Sequence, residues 1–213
     1  MKNIFLLLTL SAIGAVAAVS CSDDDSVQVS APDTMDASLL VEGKRWNYTW
    51  RRDSHLSIFV KGDTVVNGKA CKKLYRQEEG EEASLYMALY EEDGKIFTTT
   101  YYPHYPENGT LLYNFNLQIG DSLEIAMADR KEEWHVTDTL TSTICGHKYR
   151  ILRLEAPSGY KVTWISGIGN YYMSLHNSFH LLSERAHLVS VEVGGRTIFT
   201  EEEYLEIVPQ QEY

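Results

Sequence analysis

The chain has 213 residues, of which 44% are hydrophobic and 23% are charged, and its formal net charge is −11 at pH 7. This balance is typical of a globular domain and argues against extensive disorder. The excess of acidic residues argues against nucleic acid as a partner, because a polyanion is bound through neutralisation by Lys and Arg. It also argues against attachment to anionic head groups through a basic patch.

The first 21 residues have the organisation of an exported precursor. Lys2 precedes a mostly small and apolar run over residues 4–19, and the run leads into Ala18-Val19-Ser20-Cys21. This ending resembles a bacterial lipobox rather than an Ala-x-Ala cleavage site. We predict that residues 1–20 are a signal peptide, that Cys21 is acylated, and that the lipid attaches the protein to a membrane. An uncleaved transmembrane anchor is the alternative, but the apolar run is short compared with the ~20 residues that span a bilayer.

The acidic residues after the cysteine predict both a cellular location and a flexible tether. Ser22-Asp23-Asp24-Asp25 resembles the export signal of surface-exposed lipoproteins in the Bacteroidetes phylum. That resemblance implies an outer-membrane protein that faces the cell surface. Residues 21–38 are rich in Ser and Asp and show no hydrophobic periodicity, which predicts a flexible acidic tether. The same resemblance implies O-glycosylation at Asp-Ser/Thr sequences, and Thr34 in the tether is the candidate that fits best.

From Leu39 onward the pattern predicts strands. Trp46, Tyr48 and Trp50 alternate with polar residues, which predicts a strand with one buried aromatic face. Asn67-Gly68 and Asp93-Gly94 lie between alternating runs and predict tight hairpins. Other predicted strands cover residues 56–61, 64–66, 69–75, 85–90, 95–101, 111–117, 122–127, 134–143, 148–154, 160–165, 188–193 and 196–200, with 204–208 as a candidate edge strand.

Only the segment near residues 171–187 has helical spacing. Tyr172, Leu175 and Phe179 begin an apolar stripe at i, i+3 and i+7, so we predict a short helix or an irregular excursion there. The many short strands and turns predict an all-β, mainly antiparallel domain over residues 39–213. A curled sheet, a barrel and a sandwich remain open as its architecture.

Three stretches of this body resemble a broad group of secreted β-rich Bacteroidetes proteins of unknown function. They are residues 62–69 (GDTVVNGK), 112–122 (LYNFNLQIGDS) and 164–169 (WISGIG). The resemblance implies a shared fold and an extracytoplasmic location, and no activity follows from it. The pattern of that group has an acid where this chain has Ser166.

Two cysteines remain besides Cys21. Export would permit a disulfide between Cys71 and Cys145, and the alternative is two thiols that pack like small apolar side chains. His176 and His180 have a His-x-x-x-His spacing, which makes them weak metal candidates beside the alternative of a solvated helix flank.

The Pro-rich segment near residue 103 carries an aromatic cluster. Its members could contact a glycan, or they could fold back and cover the edge of the sheet. The cluster consists of Tyr101, Tyr102, His104 and Tyr105. No Gly-x-Ser-x-Gly sequence surrounds Ser158 or Ser166, and no carboxylate pair stands out for glycoside hydrolysis.

These observations predict a lipid-anchored surface protein with a non-enzymatic binding or envelope-structural role. Its partner would be a glycan or an envelope protein, and no cofactor is predicted. Two other functions stay open at this point: a glycan-binding accessory protein of a polysaccharide-uptake system, and a hydrolase without a recognisable motif.

Overall fold

The computed structural model describes residues 38–50, 54–99, 109–126, 131–171 and 187–208. The chain divides between Ala31 and Pro32 into two units, and every described residue belongs to the second. The predicted signal peptide and all of the predicted tether except Ser38 therefore lie outside the described residues.

The all-β prediction is confirmed, since the described residues form two antiparallel sheets. An eight-stranded sheet, curled into a half-barrel, has the order β13-β12-β1-β2-β3-β4-β5-β6, and a five-stranded sheet has the order β11-β10-β9-β8-β7. The strands are β1 (Arg45–Trp50), β2 (Ser54–Val66), β3 (Lys69–Glu78), β4 (Ser84–Glu92), β5 (Lys95–Thr99), β6 (Thr110–Asn114), β7 (Ser122–Ala126), β8 (Lys131–Ile144), β9 (His147–Glu155), β10 (Lys161–Ile165), β11 (Gly169–Asn170), β12 (His187–Val193) and β13 (Arg196–Thr200).

The predicted tight hairpins are confirmed by their backbone angles. Four hairpins turn through two consecutive residues with positive φ, which is the geometry of a type I′ turn. The turns are Asn67-Gly68, Asp93-Gly94, Cys145-Gly146 and Gly194-Gly195. The twist of this turn type matches the twist of the flanking strands, so each turn fixes the register of its hairpin.

The substitution Gly94→Ala tests how much the stability of these turns depends on glycine. A Cβ at Gly94 would stand 2.8 Å from Asn116 Nδ2, which donates a hydrogen bond to Asp93 O at 3.0 Å. We expect Gly94→Ala to lower the free energy of unfolding by about 2–3 kcal/mol, from left-handed backbone strain and loss of this bond. Urea denaturation followed by circular dichroism measures the change. Gly68→Ala is the matched control, since Gly68 also has positive φ but meets nothing within 4 Å; equal losses would contradict the contribution of Asn116.

The candidate edge strand at residues 204–208 is wrong. Glu201–Ile207 instead form a helix, α1, whose N-cap is Thr200, and the Thr200 side chain accepts a hydrogen bond from Glu203 N at 3.4 Å. Three glutamates in the first turn stabilise the positive end of the helix dipole. Thr200 and Glu203 have the spacing of a capping box, a helix-start signal that outweighs the short apolar alternation. The helix or excursion predicted near residues 171–187 falls on residues 172–186, outside the described residues.

The predicted strand at residues 111–117 is too long. β6 ends at Asn114, and β7 belongs to the other sheet, so the chain crosses between sheets over residues 115–121. Asn114 Oδ1 accepts a hydrogen bond from Asn116 N at 3.1 Å, which turns the backbone away from the strand. The carbonyls of Phe115 and Leu117 accept hydrogen bonds from the guanidinium of Arg150 in β9.

The core lies between the inner faces of the two sheets. Trp46 and Tyr48 point into it, as their alternation predicts, and Trp134 and Trp164 of the five-stranded sheet are fully buried. Tyrosine hydroxyls join the sheets near both edges of the larger one. Tyr149 OH donates to Ile198 O at 2.6 Å, and Tyr113 OH accepts from Asn170 N at 3.0 Å.

Candidate functional site

Most of the predicted site residues lie outside the described residues. These are the lipidation and export residues Cys21, Ser22, Asp23, Asp24 and Asp25, the glycosylation candidate Thr34, the aromatic cluster Tyr101, Tyr102, His104 and Tyr105, and the metal candidates His176 and His180. In the described ranges, no group of three or more His, Cys, Asp or Glu side chains is placed to hold a metal ion.

Of the two alternatives left open for Cys71 and Cys145, the structure has the separate thiols, since both are free. Cys71 lies on β3 of the eight-stranded sheet, and its Sγ donates to Lys69 O at 3.3 Å. Cys145 lies in the β8–β9 turn of the other sheet, with its Sγ 3.7 Å from Thr200 Oγ1. Burial raises the pKa of both thiols, and a hydrogen bond with Glu203 raises the pKa of Cys145 further. Both thiols are therefore weak nucleophiles at neutral pH.

The turn between β10 and β11 is a buried joint between the sheets. Ile168 at its centre is fully buried, and its carbonyl accepts a hydrogen bond from Trp46 Nε1 at 2.9 Å. Gly167 O accepts from Lys44 Nζ at 2.9 Å. We call residues 166–170 the inter-sheet turn. The WISGIG stretch thus has a structural task here, which is to join the two sheets.

Ser166 also has a structural contact. Its Oγ accepts a hydrogen bond from Arg150 N at 2.9 Å, and its own N–H donates to Arg150 O at 2.8 Å. The hydroxyl therefore helps to hold the inter-sheet turn against β9.

Lys44 links the first described residue to the inter-sheet turn. Its side chain is fully buried, and its ammonium donates to Ser38 O at 2.6 Å as well as to Gly167 O. Ser38 is the first described residue, and its Oγ donates to Glu91 at 3.0 Å. Leu39 is also buried, so residues 38 and 39 are held by both polar and apolar contacts.

The side of the eight-stranded sheet that points away from the core carries a stack of aromatic and cationic groups. We call the side of β1, β2 and β3 that points away from the core the outer face. Arg45, Phe59 and Tyr75 are direct cross-strand neighbours on it. The Arg45 guanidinium lies 4.3 Å from the Phe59 ring centroid, and the Phe59 and Tyr75 rings stack at 5.8 Å. Because β1 and β3 flank β2 on opposite sides, both faces of the Phe59 ring are occupied.

A second stack of the same composition lies on β3, β4 and β5. Lys69 Nζ stands 5.4 Å from the Tyr90 ring centroid, and Tyr90 stacks on Phe97 at 5.0 Å. Lys69 also pairs with Glu92 at 2.9 Å, and this hydrogen bond raises the pKa of Lys69. Such aromatic and cation–π pairs stabilise cross-strand register by about 1 kcal/mol each.

Charge is distributed very unevenly along the sequence. Residues 44–76, which form β1 to most of β3, contain 9 Lys or Arg and 2 Asp, a net charge of +7. The rest of the chain holds the other 10 basic and 28 acidic residues, a net charge of −18. The first three strands are thus a basic region in an acidic protein.

Sequence reasoning missed this region because it used the charge of the whole chain. A charge count in a sliding window would have found it. The aromatic stacks carry a weaker signal, since Phe59 and Tyr75 are half-buried and their pairing depends on the register across a bulged strand.

Comparison of the chain with protein-family models, with curated proteins and with solved structures found no match. No helix in the described part of the chain has both the length and the hydrophobicity that a bilayer crossing requires.

Proposed function

We propose that this protein is a lipid-anchored outer-membrane protein that faces the cell surface, and that its β domain binds a partner without catalysing a reaction. The observation that carries the proposal is Cys21 at the end of a lipobox-like sequence, followed at once by Ser22-Asp23-Asp24-Asp25. This N-terminal sequence resembles that of surface-exposed outer-membrane lipoproteins. Such proteins are anchored in the membrane by an acylated cysteine.

The arrangement of the described residues supports a tethered domain. Leu39 is buried, and Lys44 Nζ donates to Ser38 O, so the residues directly after the predicted tether are packed into the β domain. A flexible chain of about 17 residues has a root-mean-square span of roughly 20–25 Å. That span is enough to hold the domain clear of the lipid head groups while keeping it close to the membrane.

The outer face supports a binding role. It is a half-exposed surface with aromatic, cationic and polar side chains in register, and it forms no part of the contact between the sheets. The glycan-binding function based on the aromatic cluster at Tyr101 and Tyr105, and the hydrolase function, both stay predictions, because the residues that would carry them lie outside the described residues or are not identified.

Acylation is tested with Cys21→Ala in the native host. We expect the variant to lose labelling by radioactive palmitate and to move from the membrane fraction to the soluble fraction, because a single cysteine carries all the acyl chains. Cys71→Ala is the matched control and should stay labelled and membrane-bound. A Cys21→Ala protein that still fractionates with the outer membrane would contradict the proposed lipid anchor.

Surface display is tested separately on intact cells. Replacing Asp23, Asp24 and Asp25 by alanine should leave palmitate labelling unchanged but should protect the domain from externally added protease. If the unmodified protein is itself protected in intact cells and is cleaved only after lysis, the domain faces the periplasm and this part of the proposal is wrong.

A further inference from the structure

We propose that the outer face of β1–β3 binds an acidic polysaccharide. The inference deepens the proposed function, because it names the partner class of the outer face and depends on surface display to bring glycans within reach. It starts from the net charge of +7 on residues 44–76 against −18 on the rest of the chain.

Several cations of the basic region are already used. Lys44 is buried and binds carbonyls, Lys72 pairs with Asp63 at 2.7 Å, and Arg76 pairs with Glu78 at 2.7 Å. Lys69 pairs with Glu92. These contacts account for four of the nine cations, and Arg51 and Arg52 lie outside the described residues.

Three cations of the region form no ion pair with any described residue: Arg45, Lys61 and Lys73. Arg45 is stacked on Phe59, which orients its planar guanidinium, and it lies directly opposite Glu192 of β12 without forming an ion pair with it. The side chain of Lys73 crosses Gly62, with its Nζ 3.5 Å from the place where a Cβ would stand. Lys61 is exposed on the neighbouring strand.

These cations are spaced along the strands. Phe59 pairs with Arg45 and Tyr75, and Lys61 and Lys73 follow two residues from Phe59 and Tyr75 on their strands. Two residues of regular strand correspond to about 7 Å, and Lys61 lies in the bulge between Val60 and Asp63. The positive charges therefore form an extended series on an open sheet surface, which suits a polymer with repeated anionic groups better than a small ligand that needs a cleft.

The neighbouring side chains suit a hydroxylated anionic chain. Arg45 and Tyr75 cover the two faces of the Phe59 ring, which leaves neither face of that ring for a stacked sugar. A row of polar groups crosses β2, β1 and β12, in which Ser57 Oγ donates to Asn47 Oδ1 at 2.9 Å and Asn47 Nδ2 donates to Ser190 Oγ and to the Glu192 carboxylate, both at 3.1 Å. Hydroxyl and amide groups of this kind bind sugar hydroxyls, whereas a bilayer surface offers them few partners.

The test uses the full lipoprotein purified in a neutral detergent and immobilised for affinity measurement. The probes are polygalacturonate and chondroitin sulfate as acidic polysaccharides, dextran as a neutral one, and vesicles containing phosphatidylglycerol. We expect binding to at least one acidic polysaccharide, no binding to dextran, and an affinity that falls as the salt concentration rises.

The decisive comparison is between two triple variants with the same change in charge. Arg45→Gln, Lys61→Gln and Lys73→Gln together should weaken binding by about tenfold or more, since three positive charges outside any ion pair are lost. Lys131→Gln, Lys148→Gln and Lys161→Gln on the five-stranded sheet should change it less than about twofold. Circular dichroism and urea denaturation establish that both variants keep the fold.

Three outcomes would overturn the inference. They are no binding to either acidic polysaccharide, equal weakening in the two triple variants, and charge-dependent binding to the anionic vesicles in place of the polysaccharides. None of these outcomes bears on the proposed lipid anchor, because palmitate labelling and cell fractionation are measured independently of the outer face. A failed anchor would equally leave the binding measurement intact.

Discussion

Replacing Ile168 by alanine is expected to lower the free energy of unfolding by about 2–5 kcal/mol. Ile168 is fully buried at the centre of the inter-sheet turn, where both sheets pack around it. The substitution removes apolar contacts and leaves a cavity that this turn cannot close, because Trp46 and Lys44 hold the backbone on either side. Urea denaturation followed by circular dichroism should show a lower midpoint with an unchanged slope.

Ile119→Ala is the matched control for this prediction. Ile119 is the same residue type, lies in the crossing between the sheets and is 62% exposed. Its removal should change the free energy of unfolding by no more than about 0.5 kcal/mol. Similar losses in the two variants would mean that the inter-sheet turn contributes no more to the core than an exposed connection does.

Local signals predicted the local structure of this chain. Asn67-Gly68 and Asp93-Gly94 need only their own backbone preferences to form type I′ turns, and both turns form where the sequence places them. The alternation of Trp46, Tyr48 and Trp50 likewise predicted a strand with a buried face, because a period of two places alternate side chains on one side of any sheet.

The wrong predictions arose where local signals compete or where partners are distant in sequence. The apolar alternation at residues 204–208 competed with the Thr200 and Glu203 capping signal, and the cap decided the outcome. The crossing after Asn114 depends on Arg150, which binds the carbonyls of the crossing from a strand far along the chain. A pattern within residues 111–117 cannot reveal that partner.

The candidate site shows the same division. The charge of residues 44–76 can be read from the sequence, but which cations stay unpaired cannot, since Lys72 finds Asp63 and Lys69 finds Glu92 only in the folded sheet. The choice between a disulfide and two free thiols could not be made from the sequence for a related reason. Two cysteines in an exported chain can pair only if the fold brings them together, and it places Cys71 and Cys145 in different sheets.

The four tryptophans offer a sharper test of what joins the sheets, through Trp46 and Trp164. Both side chains are fully buried, and both lie between the sheets. Trp46 Nε1 donates to Ile168 O at 2.9 Å, whereas Trp164 Nε1 has no hydrogen-bond acceptor within the described structure. Replacing each by phenylalanine removes a similar volume, so the two substitutions differ mainly in the hydrogen bond that is lost.

We expect Trp46→Phe to lower the free energy of unfolding by about 1–3 kcal/mol more than Trp164→Phe. In Trp46→Phe the carbonyl of Ile168 loses its donor in a buried place, and the cost of an unsatisfied group adds to the cost of the cavity. In Trp164→Phe the cavity cost is offset, because an N–H that was already buried without an acceptor is removed. Urea denaturation followed by far-ultraviolet circular dichroism measures both without relying on tryptophan fluorescence. Equal losses would show that packing alone joins the sheets at this turn, and a larger loss in Trp164→Phe would show that its indole N–H has an acceptor after all.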